Sequence, residues 1–373
     1  MILHLYAGNL FGGIETHLLN LLRADQLSEF QSDSRHAVAL CFQGRLSAEL
    51  SAINAPLFLL NEVRFRHPWT VWQARRQLRR IIRENNVGYL VAHASWAYRL
   101  GFPAAKSSGI PIAFLNHDIL RCDNKFEHYA ARHSPAKIIT NSHFTADSCQ
   151  KLFSRPADAV IHPATSITKV ADRATARTKI RQELQTPENE VAIIHFSRFE
   201  QWKGHELLLL ALGRLKDLPG WRLWLAGGVQ KANEISYAKS LKRLSELLGI
   251  SNSVQQIGQR TDIPEVLAAA DIHCQPNLGP EPFGLAFVEA LAAGLPSIST
   301  KIGGAAEIIT PQCGMLVEPN NPEKLAEALK LLIQNQPMRA SLGAHGPARA
   351  AGLCDPAIIL RQLNQVLNQQ IKI

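Results

Sequence analysis

The chain has 373 residues, of which 46% are hydrophobic and 19% are charged. This composition excludes a disordered chain, and the length favours two domains that are each large enough for a core of their own. No apolar run in the sequence reaches the roughly 18 residues that a membrane-spanning helix needs. The six cysteines form no C-x-x-C pair, and the short apolar start lacks the basic segment of a signal peptide. We therefore expect reduced cysteines and a cytoplasmic protein.

The first half of the chain alternates short apolar segments with longer helical ones. Strands are predicted at residues 2–7, 37–42, 56–60, 89–94, 111–118, 137–142 and 160–163. This alternation predicts a doubly wound parallel sheet, in which ligands gather at the carboxyl ends of the strands. His93 and His117 stand at such ends, so each is either a ligand contact or a satisfied structural histidine. The Gly12-Gly13 turn after the first strand matches neither a dinucleotide motif nor a P-loop, and it is equally compatible with a plain turn and with a phosphate loop.

Residues 70–86 predict an unusually basic helix. It carries five arginines, namely Arg75, Arg76, Arg79, Arg80 and Arg83. The chain has a formal net charge of +9, and residues 1–168 hold most of this excess. Two interpretations stay open: an ordinary solvated helix face, or a patch for an anionic membrane surface or acceptor. We expect no nucleic-acid partner, because no recognised binding module accompanies the charge.

The second half begins with a polar segment, residues 169–185, which we interpret as an interdomain linker. A second strand-helix series follows, with strands predicted at residues 190–196, 221–226, 254–258, 271–274, 296–299 and 314–317. The interval between strands again favours a doubly wound parallel sheet.

The stretch from Gly279 to Pro296 predicts a loop that turns directly into a buried helix. Every residue of 285–293 is apolar except Glu289, and a lone carboxylate on a buried helix must be paired or liganded. The first-turn amides of Leu285 and Ala286 have no intrahelical acceptor and favour an anion such as phosphate. Glu289 lies about one turn further along, where it can accept hydrogen bonds from a pair of hydroxyls. The stretch therefore predicts half of a nucleotide site, unless it is only a buried helix with one satisfied carboxylate.

Arg198 and Lys203 lie on a loop that follows the first strand of the second series. At this spacing both cations can reach one pocket, where they would suit a diphosphate and stabilise its charge when it leaves. The alternative is a pair of ordinary surface cations.

Together these elements resemble the family-4 retaining glycosyltransferases, which have the two-domain GT-B fold. Arg198 and Lys203 match the R-x4-K pair of that family, and Glu281 and Glu289 match its E-x7-E element. The resemblance implies that Glu281 sits at the donor sugar and that Glu289 holds the ribose. His117 resembles the family histidine that contacts the primary hydroxyl of the donor sugar.

The resemblance implies a complete set of site residues. The expected catalytic residues are Arg198, Lys203, Glu281 and His117. The expected donor-binding residues are Gly12, Gly13, Phe283, Gly284, Leu285, Ala286, Glu289, Gly258 and Arg260. A Gly303-Gly304 turn matches the GG-x-x-E element, which we interpret as structural. The sequence contains no D-x-D motif, so no metal and no other cofactor is expected.

The resemblance also implies the architecture. We expect an α/β protein of two doubly wound Rossmann-like domains that face each other, with a C-terminal helix, residues 357–369, crossing back to the first domain. Residues 1–168 with 356–373 would form the acceptor-binding domain, and residues 169–355 the donor-binding domain.

The expected activity is retaining transfer of a hexose from a UDP- or GDP-hexose to a sugar, polysaccharide or lipid-linked acceptor hydroxyl, without metal. The basic helix would then contact the inner face of an anionic membrane. Two alternatives remain: a GT-B epimerase that acts on sugar nucleotides, and a sugar-nucleotide-binding subunit without turnover.

Overall fold

The computed structural model describes residues 1–8, 12–27, 35–166, 170–228 and 232–368, and for 232 and 233 the backbone alone. It divides into two compact units, Met1–Ser166 with Cys354–Ile373, and Ile167–Leu353. The expected boundary at residues 168 and 169, residues 9–11 of the first loop and residue 369 of the last helix lie outside the described residues.

The first unit contains a parallel sheet of seven strands covered by helices. Its strands are β1 (Ile2–Tyr6), β2 (His36–Leu40), β3 (Leu57–Leu59), β4 (Tyr89–His93), β5 (Ile112–Asn116), β6 (Lys137–Thr140) and β7 (Ala159–Val160). Its helices up to β7 are α1 (Gly13–Gln26), α2 (Arg45–Ala52), α3 (Pro68–Glu84), α4 (Ala94–Ser107), α5 (Lys125–Arg132) and α6 (His143–Phe153). The strand order is β3-β2-β1-β4-β5-β6-β7. Most of these strands are apolar throughout because helices bury both faces of a parallel sheet.

The second unit contains a parallel sheet of six strands in the order β10-β9-β8-β11-β12-β13. These strands are β8 (Val191–Phe196), β9 (Trp221–Ala226), β10 (Val254–Gly258), β11 (Ile272–Gln275), β12 (Ser297–Thr300) and β13 (Gly314–Val317). The helices are α7 (Arg173–Glu183), α8 (His205–Gly213), α9 (Ala232–Leu247), α10 (Ile263–Ala269), α11 (Leu285–Ala292), α12 (Ala305–Ile308), α13 (Pro322–Gln334) and α14 (Gln336–Cys354). The prediction of two doubly wound α/β sheets is confirmed.

Each sheet has a point at which the strand order reverses. It lies between β1 and β4 in the first sheet and between β8 and β11 in the second. Ligands of doubly wound sheets bind in the crevice outside the carboxyl ends of the strands at this point. In the second unit, the loops that follow β8 and β11 border this crevice.

The interpretation of residues 169–185 as a linker is wrong. Most of this segment is helix α7, and its Arg181 is only 1% exposed. The buried guanidinium pairs with Asp271 and donates to the carbonyl groups of Ala269, Pro187 and Glu190. The helix was missed because a buried cation with satisfied donors occupies part of the face where an apolar stripe would be expected.

The last helix, α15 (Pro356–Asn368), belongs to the first unit, as expected. Asp355 accepts hydrogen bonds from the first backbone amides of the helix, at 2.8 Å from Ala357 N. Its apolar face packs into the same core as helix α1, through Ile359, Leu360, Leu363 and Leu367.

Candidate active site

Two loops of the second unit bring Lys203 and Glu281 into contact. Lys203 follows β8, Glu281 follows β11, and Lys203 Nζ lies 2.7 Å from Glu281 Oε1. The other carboxylate oxygen, Oε2, accepts hydrogen bonds from Gln275 Nε2 and Asn277 Nδ2, each at 3.0 Å. The carboxylate of Glu281 is therefore held by one cation and two amides, and its negative charge is compensated on both oxygens.

Gly204 allows the two loops to approach each other. It has a left-handed φ of +80°, and a Cβ atom at this position would lie 1.8 Å from the carbonyl oxygen of Pro276. Only glycine combines this backbone conformation with so close an approach. The preceding Lys203 is 9% exposed, and its ammonium lies 4.1 Å from the centre of the Trp202 ring, a cation–π contact.

Arg198 lies on the same loop but on its exposed side. Its Nη2 atom is 3.1 Å from Glu200 Oε2, and its side chain is 45% exposed. Glu200 also accepts a hydrogen bond from Trp202 Nε1 at 3.1 Å. Among the described residues, Glu200 and Trp202 connect Arg198 to the Lys203–Glu281 pair. A guanidinium that is nearly half exposed keeps N–H donors for an anion.

Helix α11 begins at the end of the Glu281 loop. Gly284 caps it with φ +114°, so that Leu285 and Ala286 are its first two residues. Their N–H groups have no intrahelical acceptor, and the helix dipole adds positive potential at this end. The start of α11 therefore presents donors suited to a phosphate.

The Gly303-Gly304 turn packs against the backbone of the loop that carries Glu281. Cβ atoms at these glycines would lie 2.5 Å from Glu281 O and 2.2 Å from Phe283 O, and Gly304 N donates to Glu281 O at 2.8 Å. Phe283 itself is 3% exposed. The contacts of this turn are with backbone, which agrees with the structural interpretation of the GG-x-x-E element.

Glu289 lies one turn into α11. Its carboxylate has no hydrogen-bond partner among the described residues, and burial raises its pKa to about 7. A partly buried carboxylate without donors is costly unless a ligand supplies them. A pair of ligand hydroxyls would satisfy this group.

Gly258 and Arg260 are placed less favourably for a ligand. Gly258 ends β10 with φ +70°, and Arg260 pairs with Asp262 at 2.7 Å and with Glu183 of α7. These partners raise the pKa of the guanidinium. Arg260 is thus engaged in ion pairs with Glu183 and Asp262, neither of which belongs to the Lys203–Glu281 contact.

In the first unit, Gly12 and Gly13 form the start of helix α1. The N–H of Gly12 donates to Glu15 Oε2 at 2.8 Å, and the other oxygen of Glu15 accepts from the hydroxyl of Tyr6 at 2.7 Å. The amide of Gly12 is thus used within the loop. Gly13 is the first residue of α1 and is exposed.

His117 follows strand β5 and is half buried. Its Nε2 atom lies 2.9 Å from Nδ1 of the buried His93, and the two rings are stacked with centroids 5.1 Å apart. The Asn141 amide donates to the His117 carbonyl oxygen at 3.2 Å and holds the backbone. Both ring nitrogens of His93 have histidine partners, His4 and His117. This agrees with the interpretation of His93 as a satisfied structural histidine.

Gln275 and Asn277 were not anticipated from the sequence. Both are buried, and both donate to Glu281. One signal was available: they are polar residues at the carboxyl end of a buried strand, the property that singled out His93 and His117.

The arginines of helix α3 do not form one exposed row. Arg75 turns inward and donates to the carbonyl groups of Arg99 and Leu100, and Arg80 pairs with Glu84. What remains is an exposed face, here called the Trp/Arg face, made of Trp69, Trp72, Arg76, Arg79 and Arg83. The two indole rings stack with centroids 4.8 Å apart and are 63% and 45% exposed. Within the described residues, no helix has the length and apolar character needed to span a bilayer.

Comparison with known proteins gives matches over most of the chain. The family model described as glycosyl transferases group 1 matches residues 176–349, and the model described as Glycosyltransferase Family 4 matches residues 11–167. The D-inositol 3-phosphate glycosyltransferase of Corynebacterium urealyticum is 32% identical over 52% of this chain and 47% of its own. A GDP-mannose-dependent phosphatidylinositol monomannoside mannosyltransferase of Corynebacterium glutamicum is 30% identical over 53% of this chain and 51% of its own. The chain thus matches about half the length of these curated relatives.

Solved structures match the chain from end to end. The crystal structure of Anabaena HepE in complex with UDP and glucose superposes with a TM-score of 0.83, at 25% identity, over 99% of each chain. The lipopolysaccharide glycosyltransferase WaaG has the same fold, with a TM-score of 0.67 at 16% identity over 99% of this chain. The chain belongs to the family-4 type of GT-B glycosyltransferases.

Proposed function

We propose that this protein is a retaining hexosyltransferase that moves a hexose from a nucleoside-diphosphate sugar to an acceptor hydroxyl without a metal ion. The observation that carries the proposal is the contact of Lys203 with Glu281 at the point where the second sheet reverses its strand order. The start of helix α11 adds donors on the same segment of chain, and Glu289, which has no partner among the residues that the structure describes, adds an acceptor.

In this proposal the diphosphate is bound by cations and amides. Breaking the glycosidic bond leaves an electron pair, and thus negative charge, on the diphosphate oxygen. Lys203 and Arg198, with the amides of Leu285 and Ala286, would stabilise that charge. Lys203 is already oriented by Glu281 and by the Trp202 ring, so its ammonium is positioned before substrate binds.

Glu281 is proposed to bind the sugar and not to attack it. A carboxylate nucleophile needs a free lone pair directed at the anomeric carbon. Both oxygens of Glu281 accept hydrogen bonds, from Lys203, Gln275 and Asn277; these donors occupy most of the lone-pair positions of the carboxylate and lower its nucleophilicity. Front-face attack by the acceptor hydroxyl, with its proton passing to the leaving phosphate, retains configuration and needs no such nucleophile.

We propose a UDP-hexose as donor, since Anabaena HepE, solved with UDP and glucose, matches 99% of this chain. The GDP-mannose-dependent relative matches only about half of it. Glu289 would accept hydrogen bonds from the ribose, and His117 would contact a hydroxyl of the sugar.

We further propose that the acceptor is a sugar, polysaccharide or lipid-linked sugar. The Trp/Arg face supports a lipid-linked acceptor, because exposed indoles and arginines favour the interface of an anionic bilayer. The protein would then lie against the inner face of the membrane.

The test is a panel of UDP-glucose, UDP-galactose and GDP-mannose, each assayed for release of the nucleoside diphosphate with and without EDTA. We expect turnover with one UDP-hexose that EDTA leaves unchanged. NMR of the transferred sugar should show the same anomeric configuration as in the donor. Lys203→Met should lose activity, whereas Lys216→Met, at an exposed lysine of the same unit, should not.

Four results would reject the whole proposal or one part of it. Conversion of the nucleotide sugar into an epimer without transfer would identify an epimerase. Binding of a nucleotide without release of product under any condition would identify a binding subunit. Inversion of configuration, or loss of turnover in EDTA, would refute the retaining or the metal-independent part.

A further inference from the structure

Four buried or half-buried histidines of the first unit form one continuous hydrogen-bonded chain that ends at Asn364. The contacts run from His117 Nε2 to His93 Nδ1, from His93 Nε2 to His4 Nδ1, and from His4 Nε2 to His36 Nδ1, each 2.9 Å long. His36 Nε2 then lies 2.9 Å from Asn364 Oδ1 on helix α15. We call this series the histidine chain.

Burial favours the neutral form of every ring in the histidine chain. His4, His36 and His93 are at most 1% exposed, and burial lowers the pKa of each of them. Burial, followed by repulsion from the neighbouring His17, also lowers the pKa of His117. Each ring therefore carries one N–H donor and one bare nitrogen acceptor at neutral pH.

In a series of neutral, hydrogen-bonded histidine rings, the ring protons can be placed in only two ways. The same two atoms occur at each contact, Nε2 of one ring and Nδ1 of the next. If one ring has its proton on Nε2, its neighbours must also have theirs on Nε2, and a reversal at one ring reverses all of them. Whatever lies at the buried end therefore decides the tautomer of the whole chain.

Asn364 is that deciding group. Its Oδ1 atom, and not its Nδ2 group, faces His36 Nε2 at 2.9 Å; an amide oxygen can only accept, so in this orientation His36 donates from Nε2. Following the contacts outward, His117 donates from Nε2 to His93, and its Nδ1 is left with a lone pair. This Nδ1 has no hydrogen-bond partner among the residues that the structure describes.

We infer that Asn364 is a positioning residue that acts through the histidine chain to fix His117 as a hydrogen-bond acceptor at its Nδ1 atom. An accepting nitrogen selects a hydroxyl donor and repels a carboxylate. The protein would therefore use neutral hexoses in preference to uronic acids. Only the identity of the bound sugar rests on the proposed function; the tautomer itself does not.

The tautomer can be measured without substrate. Long-range ¹H–¹⁵N spectra of protein labelled at histidine distinguish protonated from bare ring nitrogens, and loss of a signal set in His117→Phe assigns that residue. We expect Nε2 protonated and Nδ1 bare at His4, His36, His93 and His117. A wild-type spectrum with protonated Nδ1 at these rings would overturn the inference, and this measurement needs no destabilised variant.

Asn364 provides a matched pair of variants. Asn364→Leu keeps the shape but removes the acceptor, so the chain should reverse and His117 should become protonated at Nδ1. Asn364→Gln retains a neutral amide acceptor and should keep the wild-type pattern. An unchanged His117 pattern in Asn364→Leu would show that the last helix does not control the tautomer.

The effect on the reaction is measured separately. In Asn364→Leu we expect kcat/KM for the neutral UDP-hexose to fall about tenfold, and the discrimination against the matching UDP-uronic acid to shrink, since one hydrogen bond is lost. Asn364→Gln should retain both. A reversed tautomer with unchanged selectivity would overturn the role in specificity. Absence of turnover in the wild type would refute the proposed function instead, while the spectra would still decide the tautomer.

Discussion

Replacing Lys203 with methionine tests the central contact of the candidate site. The change removes one of three donors to Glu281, whose side chain is 15% exposed. Removing one partner of a buried ion pair costs roughly 3–5 kcal/mol when the other charge is left uncompensated. Because Gln275 and Asn277 continue to donate, we expect a smaller loss of stability for Lys203→Met, about 2 kcal/mol.

A second change should separate stability from activity. Lys203→Met combined with Glu281→Gln removes both charges and leaves an amide whose oxygen can still accept hydrogen bonds. We expect the double variant to recover to within about 1 kcal/mol of the wild type, which requires a clear coupling between the two positions. Its rate should stay low, roughly 10²–10³-fold below wild type, because loss of one preorganised charge-stabilising donor has an effect of that size.

The assay is urea unfolding for stability and release of nucleoside diphosphate for activity, on both single variants, the double variant and Lys216→Met. The reasoning would be refuted if Lys203→Met were as stable as the wild type, since the pair would then contribute nothing. Recovery of activity in the double variant would show that Lys203 serves only to neutralise Glu281.

Three further changes test other features. Burial raises the pKa of Glu289 to about 7 from an ordinary value of 4.5, and we expect its ionised form to bind the ribose, so nucleotide affinity should fall about tenfold from pH 8 to pH 6. Glu289→Gln should remove this pH dependence. If the pH dependence persisted in the variant, Glu289 would not be the ribose ligand. The raised pKa also means that Glu289 lowers folding stability above pH 4.5 and fully above pH 7, so Glu289→Gln should stabilise the free protein at pH 8. Trp69→Ser with Trp72→Ser should weaken binding to vesicles that contain anionic lipid, measured by sedimentation, and equal binding to neutral vesicles would argue against a specific membrane face. Gly204→Ala should lose roughly 3 kcal/mol or more of folding stability and most of the activity. The control Gly249→Ala, at φ +72° with open space around the new Cβ, should lose only about 1 kcal/mol of folding stability. Similar unfolding midpoints for the two variants would contradict the close approach of Gly204 to Pro276.

The sheets and the loop-helix stretch could be predicted because their signals are local. Strands buried on both faces are apolar runs, so the predicted segments overlap all thirteen observed strands, and the six of the second sheet agree to within about one residue at each end. Strand β7 is the weakest case, since it spans only Ala159–Val160. The stretch from Gly279 to Pro296 could likewise be predicted as a loop followed by a buried helix, because Gly284 precedes an apolar run that contains a single carboxylate, Glu289.

The tertiary structure decided what depends on residues far apart in the sequence. Lys203 and Glu281 are 78 positions apart, and His36 and Asn364 are 328 apart, so no local pattern relates them. Arg181 could not be predicted to be buried for the same reason, because its charge is compensated by Asp271, which is distant in the sequence. The sequence alone thus determined the strands and the apolar helices, since burial of apolar residues sets that choice locally, but not helix α7, whose inner face contains the buried Arg181. Which polar groups satisfy one another was decided by the folded sheets, because a buried donor takes its acceptor from wherever the chain brings one.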